Sequence, residues 1–231
     1  MSRKERRLPS FNERPVSERI VVFLWLIGLI LLVYLLAIAL GSRSVASPVR
    51  AVLLGGLLVG AIRLRRRQGR RLRFAVVLTV LVFVLCVGAA VSGKETLLLA
   101  VDGAATVLFV GLTIALIGHA LVSWHRTDLS TVLGVLVAYL LLALLFAGVY
   151  EFNAAFQPHL LDGASAPPSG SDILYFSVIT ICTVGFGDIT PATDVARAVT
   201  SVEAMVGQLY LVSVVAAVVS GWRAFEHVDR A

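Results

Sequence analysis

The run ITICTVGFGDITP (Ile179–Pro191) lies between two long apolar segments and sets two glycines either side of a phenylalanine, with an aspartate directly after them. What such a run offers chemically is backbone oxygen. A ring of carbonyl oxygens can replace the water that a cation sheds, provided that successive carbonyls face one axis. Strand geometry alternates from residue to residue. The run therefore needs alternating or left-handed backbone angles, which Gly185 and Gly187 permit at little cost. Val184 and Phe186 would then point away from the axis and wedge the strand against its surroundings, while the Thr183 hydroxyl adds a further ligand. One chain supplies one strand and a ring needs several, so these residues predict a symmetric homo-oligomer.

Irregular backbone survives at membrane depth only where protein encloses it or a polar path runs beside it. The elements around the run must provide that enclosure. SDILYFSVITIC (Ser171–Cys182) reads as a short helix whose first amides Ser171 or Asp172 can cap, and PPSG before it breaks any earlier helix. A helix of that length extends about 18 Å, roughly half a bilayer. Its C-terminal partial negative charge would point to mid-membrane and favour a cation there.

Composition places the chain in lipid. It has 231 residues, of which 58% are hydrophobic and 15% charged, with a mean hydropathy of +0.93. Soluble domains carry about 25% charged residues. The net charge is +6, and 18 of the 20 basic residues are arginine. The arginines flank apolar runs, which points to topology and anionic lipid rather than to nucleic acid. Cys86 and Cys182 both fall in apolar segments and form no disulfide framework. Neither an internal repeat nor a catalytic constellation is visible. The expected class is a non-enzyme without an organic cofactor.

Apolar runs at Ile20–Leu40, Phe74–Ser92, Thr96–Gly118, Leu129–Tyr150 and Ala198–Trp222 are each long enough to cross about 30 Å of hydrocarbon. The first is too long for the roughly 7–15-residue core of a cleaved signal peptide. Ala51–Ile62 is shorter, either interfacial or, extended to Val45–Leu64, a span with Arg50 and Arg63 snorkelling to opposite interfaces. Parity favours the span. The basic residues of segment 1–19 and the seven arginines of Arg63–Arg73 should both be cytoplasmic, which needs two crossings between them. The expected fold is an all-α membrane protein with six transmembrane helices, a re-entrant pore helix and filter, and both termini cytoplasmic at the cell membrane. Its parts are a cytoplasmic segment 1–19, a four-helix unit 20–118, a connector 119–128, a pore domain 129–222 and a short tail 223–231.

TVGFGD resembles the selectivity-filter signature of potassium channels. The likeness is strongest over Tyr139–Gly221. It implies a homotetramer with K+ held by carbonyls of Thr183, Val184, Gly185 and Phe186, and with Gly187 completing the filter. Phe186 stands where tyrosine is commoner. Cys182, where the family most often has threonine, and Asp188 take filter-support positions, and the departure at Cys182 bears on filter stability. The likeness casts Gly207 as a gating hinge, although a small residue there also permits close helix packing. Gln208 is a candidate for the water-filled cavity. Glu203 is an intramembrane acid, either functional or hydrogen-bonded to a pore helix of its own or a neighbouring subunit.

A voltage sensor needs arginines at every third position of the fourth span, and Thr96–Gly118 contains none. Weak voltage dependence follows as an expectation. Asp102 in that span is either a polar residue near the outer interface or a partner for Arg50. His119 and His125 are too scattered to form a metal site, and Arg63–Arg73 is expected to lie against anionic headgroups. Alternative classes are a nonselective cation channel and a non-conducting scaffold or sensor with a relic pore. A transporter built of several pore loops fits less well, because only one such loop is present.

Overall fold

A computed structural model describes residues 16–39, 43–63, 69–122 and 129–228. Its helices are α1 (Val16–Ala39), α2 (Arg43–Arg63), α3 (Gly69–Val91), α4 (Glu95–Val122), α5 (Leu129–Ala154), α6 (Gly170–Ile181) and α7 (Asp194–Val228). Two short strands, β1 (Leu161–Asp162) and β2 (Thr190–Pro191), complete the described elements. Among the described residues, four helices are long and apolar enough to cross a membrane, over Ile20–Ala37, Leu72–Val91, Glu95–Leu121 and Leu129–Ala154.

The doubtful segment Ala51–Ile62 lies within α2, whose 21 residues extend about 31 Å. Pro48 lies in its second turn, where the missing N–H removes one ladder bond. Other boundaries extend beyond the expected ones. Helix α4 runs into the expected connector because Ala120–Val122 continue its apolar pattern, and it carries His119 in its last turn. Helix α7 starts at Asp194, an acid suited to a helix N-terminus, and passes Trp222 to reach Val228. Residues 1–15, 64–68 of the arginine run, 123–128 with His125, and 229–231 lie outside the described residues. Arg70, Arg71 and Arg73 belong to the first turns of α3.

Helices α4 and α5 pack antiparallel at a close crossing. A Cβ on Gly103 would stand 2.4 Å from the Phe152 backbone nitrogen, and one on Gly148 would stand 2.9 Å from Thr106 Cβ. Around this pair, Phe23, Leu26 and Ile30 of α1, Leu54 and Leu57 of α2, and Phe109 of α4 are fully buried. The Tyr34 hydroxyl donates to the Leu140 carbonyl at 3.2 Å, tying α1 to α5. The outer surface is apolar too: Phe74, Val77, Val80, Leu81 and Val84 of α3 are exposed. That is the exterior expected of a helix in hydrocarbon.

Candidate functional site

Helix α6 is twelve residues long and begins one residue earlier than its sequence suggested. Its N-cap is Ser169, not Ser171 or Asp172. The Ser169 hydroxyl accepts from the Asp172 amide at 3.1 Å, and the Asp172 carboxylate accepts from the Ser169 amide at 3.1 Å. This reciprocal box satisfies two otherwise orphaned amides. Asp172 holds the third helical position, where its carboxylate can reach back to the cap. Ser171, inside the helix, only shares a hydroxyl contact with Ser169.

At its other end the helix turns straight into the glycine run. The amides of Val184 and Gly185 both donate to the Ile179 carbonyl, at 2.9 and 3.2 Å, and that of Thr183 donates to Thr180 at 2.9 Å. Positive φ then recurs at every second residue: Thr183 at 57°, Gly185 at 51° and Gly187 at 80°. Such an alternation lets consecutive carbonyls share one side. Glycine accounts for two of the three positions. Thr183 was not expected to join them, and a β-branched residue there is strained.

The far end of the run is clamped from two directions. Tyr175 of α6 donates its hydroxyl to Asp188 Oδ2 at 2.8 Å. Strand β1 pairs antiparallel with β2, Leu161 opposite Pro191 and Asp162 opposite Thr190. Gly163, at φ 82°, permits this approach, since a Cβ there would fall on the Asp188 carbonyl. A two-residue strand within an irregular loop leaves no periodic signal, so this clamp was invisible in the sequence. Within the single chain, Val184 and Phe186 are 51% and 70% exposed.

Behind the run, Tyr139 of α5 donates to the Ile181 carbonyl at 2.9 Å, stands 3.9 Å from Cys182 Sγ, and stacks on Tyr210 of α7. Gly207 is buried where α7 presses on the end of α6: a Cβ would lie 2.6 Å from Ile181 Cγ1 and 2.8 Å from its carbonyl oxygen. Helix α7 runs unbroken through this point, and the next residue, Gln208, is exposed.

Glu203 is fully buried and joins three elements of one chain. It accepts from the Tyr150 hydroxyl of α5 at 2.8 Å, and its other oxygen meets the Ser177 hydroxyl of α6. Of the roles left open, it takes the hydrogen bond to its own chain's pore-loop helix. Glu203→Ala is expected to lower stability by about 1–3 kcal/mol, since both hydroxyls lose a strong acceptor and keep only Thr200 and the Ala143 carbonyl as partners. Glu203→Gln preserves shape and one acceptor and should cost less. Thermal unfolding of both variants checks this; equal stability of wild type and Glu203→Ala would contradict it.

A second polar cluster lies where α2, α4 and α5 meet. Arg50 pairs with Asp102 and, at 2.7 Å, with Glu151. The carboxylate side chains are only 9% and 5% exposed. Of the two readings of Asp102, the structure takes the pairing with Arg50. Glu151 went unnoticed because it follows Tyr150 at the end of an apolar run and looks interfacial. Helix α4 contains no arginine or lysine anywhere along its length.

Residues 138–221, from within α5 to within α7, match the family described as ion channel. Two curated relatives carry the names of potassium channels. The chain is 47% identical over 64 residues to the two pore potassium channel c of Oryza sativa subsp. japonica, which covers 27% of this chain and 14% of that protein. It is 36% identical over 89 residues to the potassium voltage-gated channel subfamily A member 6 of Homo sapiens, covering 38% and 17% respectively. The aligned stretches thus span less than a fifth of either relative. No solved structure matches the chain.

Proposed function

We propose that this chain is one subunit of a homotetrameric, potassium-selective channel that conducts K+ passively across the cell membrane. The observation that carries this reading is the alternation of positive φ at Thr183, Gly185 and Gly187 within the run TVGFG. In the proposed tetramer four such runs surround an axis, and the carbonyls of Thr183, Val184, Gly185 and Phe186 replace the hydration water of K+. Cys182 and Asp188 support the run from either end. The name of each relative carries the same ion, which supports the choice of K+.

The tetramer has support in the exposed apolar positions of α7. Val202, Met205, Leu209 and Val212 are 47–67% exposed and recur at spacings of three and four, so they form one stripe along the helix. Together with Val184 and Phe186, they give the chain an apolar side that neighbouring subunits would cover. Six crossings with cytoplasmic termini remain our topology, Gly207 our candidate hinge, and Gln208 our candidate cavity residue. The arginines of Arg63–Arg73 are proposed to contact anionic headgroups. The absence of arginine and lysine from α4 supports opening with weak voltage dependence.

Purified protein in planar bilayers under bi-ionic K+/Na+ conditions tests the reading. The reversal potential is expected to follow the K+ gradient. A reversal potential near zero would instead make the protein a nonselective cation channel, and absence of current from correctly assembled tetramers would favour a relic pore.

A further inference from the structure

At the end of α6, the carbonyls of Val178, Ile179 and Thr180 are taken up by the amides that follow. Val178 accepts from Cys182, Thr180 from Thr183, and Ile179 from both Val184 and Gly185. Among the described residues, the Ile181 carbonyl instead takes its hydrogen bond from the Tyr139 hydroxyl of α5, at 2.9 Å. The last carbonyls of a helix need partners from outside it, and here a neighbouring helix supplies one. The peptide held in this way joins Ile181 to Cys182, directly before Thr183, where positive φ begins. The phenol is itself held in place. Its ring stacks on Tyr210 of α7 with 5.7 Å between centroids, and the Tyr210 hydroxyl donates to the Val135 carbonyl of α5 at 2.7 Å. The Ile181 carbonyl oxygen also lies close to α7, 2.8 Å from where a Cβ on Gly207 would stand.

We infer that Tyr139 is a positioning residue for K+ selection. Its hydroxyl fixes the plane of the Ile181–Cys182 peptide, and that plane sets the direction in which the TVGFG run leaves α6. The inference rests on the potassium-selective reading above and gives α5 a part in it. A peptide is a rigid plane, so turning one redirects the chain that follows it. The carbonyls of Thr183 and Val184, which come next, move first. The far end of the run has its own ties, through Tyr175 to Asp188 and through β1 to β2. Tyr139 therefore governs the near end. It acts through the backbone and does not touch the ion.

Tyr139→Phe keeps the stacked ring and removes the hydroxyl alone. Tyr210→Phe is the control, because it removes a hydrogen bond from the same stack that leads to α5 and not to α6. One hydrogen bond is worth roughly two- to tenfold in an equilibrium, and the proposed tetramer repeats the change in each subunit. In planar bilayers, Tyr139→Phe is expected to raise the Na+/K+ permeability ratio about tenfold, with Tyr210→Phe within about twofold of wild type. Unfolding temperatures give a readout without current, since an ion that binds the folded state stabilises it according to its affinity. The K+ concentration for half of the K+-dependent rise should increase about tenfold in Tyr139→Phe and stay unchanged in Tyr210→Phe. Placing 4-aminophenylalanine at Tyr139 restores an N–H donor and should return both readouts toward wild type. A wild-type permeability ratio in Tyr139→Phe overturns the inference and leaves the potassium-selective reading standing. Equal shifts in the two phenylalanine variants overturn it as well, as does failure of Tyr139→Phe to assemble, since either makes the hydroxyl a general packing tie. A wild-type channel that does not select K+ overturns the reading itself, and the inference with it.

Discussion

Replacing Gly185 with alanine is expected to abolish potassium-selective current while leaving the helices and the oligomer intact. Space is not the obstacle, because, beyond its chain neighbours, no atom of the described residues lies within 4 Å of where the new Cβ would stand. The obstacle is the backbone. At φ 51° an L-residue pays about 1–2 kcal/mol that glycine does not. In the proposed ring the cost recurs in every subunit, giving roughly 4–8 kcal/mol in all if no subunit relaxes. Relaxation is the easier course, and it turns carbonyls away from the axis. D-alanine at the same position, introduced by semisynthesis, favours positive φ and should restore selectivity. Bi-ionic recordings paired with size-exclusion chromatography make the comparison. Potassium selectivity retained in the L-alanine variant would refute the role assigned to this backbone.

Arg50→Met is expected to destabilise the chain by about 3–5 kcal/mol, the range for removing one partner of a buried ion pair. The methionine replaces the apolar stem adequately. What it leaves behind are two nearly buried carboxylates, Asp102 and Glu151, on adjacent helices and without their shared counter-charge. The two charges repel each other across the α4–α5 contact. The triple variant Arg50→Met, Asp102→Asn, Glu151→Gln removes all three charges and should recover most of the loss. Unfolding temperatures of wild type, single and triple variants give the answer. If the single variant proves as stable as wild type, the cluster is a solvated surface feature and not a structural tie.

The functional run and its neighbours were legible because their signal is local. Gly185 and Gly187 announce unusual backbone by lacking a side chain, and a twelve-residue apolar segment after PPSG announces a half-length helix. Asp102 and Arg50 were each conspicuous as charges in apolar surroundings. Their partnership, however, depends on which helices touch. Glu151 shows the limit most clearly: its type and position fit an interfacial residue, and only the crossing of α4 on α5 at Gly103 and Gly148 brings it to Arg50.

The amino-acid sequence by itself determined that this chain lives in lipid, where its long helices fall, and which residues could offer a cation a row of carbonyls. Those properties follow from hydropathy, helix length and the conformational range of glycine, all written residue by residue. The tertiary structure alone decided that Ser169 caps α6, that Thr183 joins the left-handed alternation, that β1 and Tyr175 clamp the run at Asp188, and that Glu203 joins α5 and α6 to α7. Each of these rests on a contact or a turn set by the path of the whole chain. A hydroxyl or carboxylate can satisfy any of several partners, and packing chooses among them.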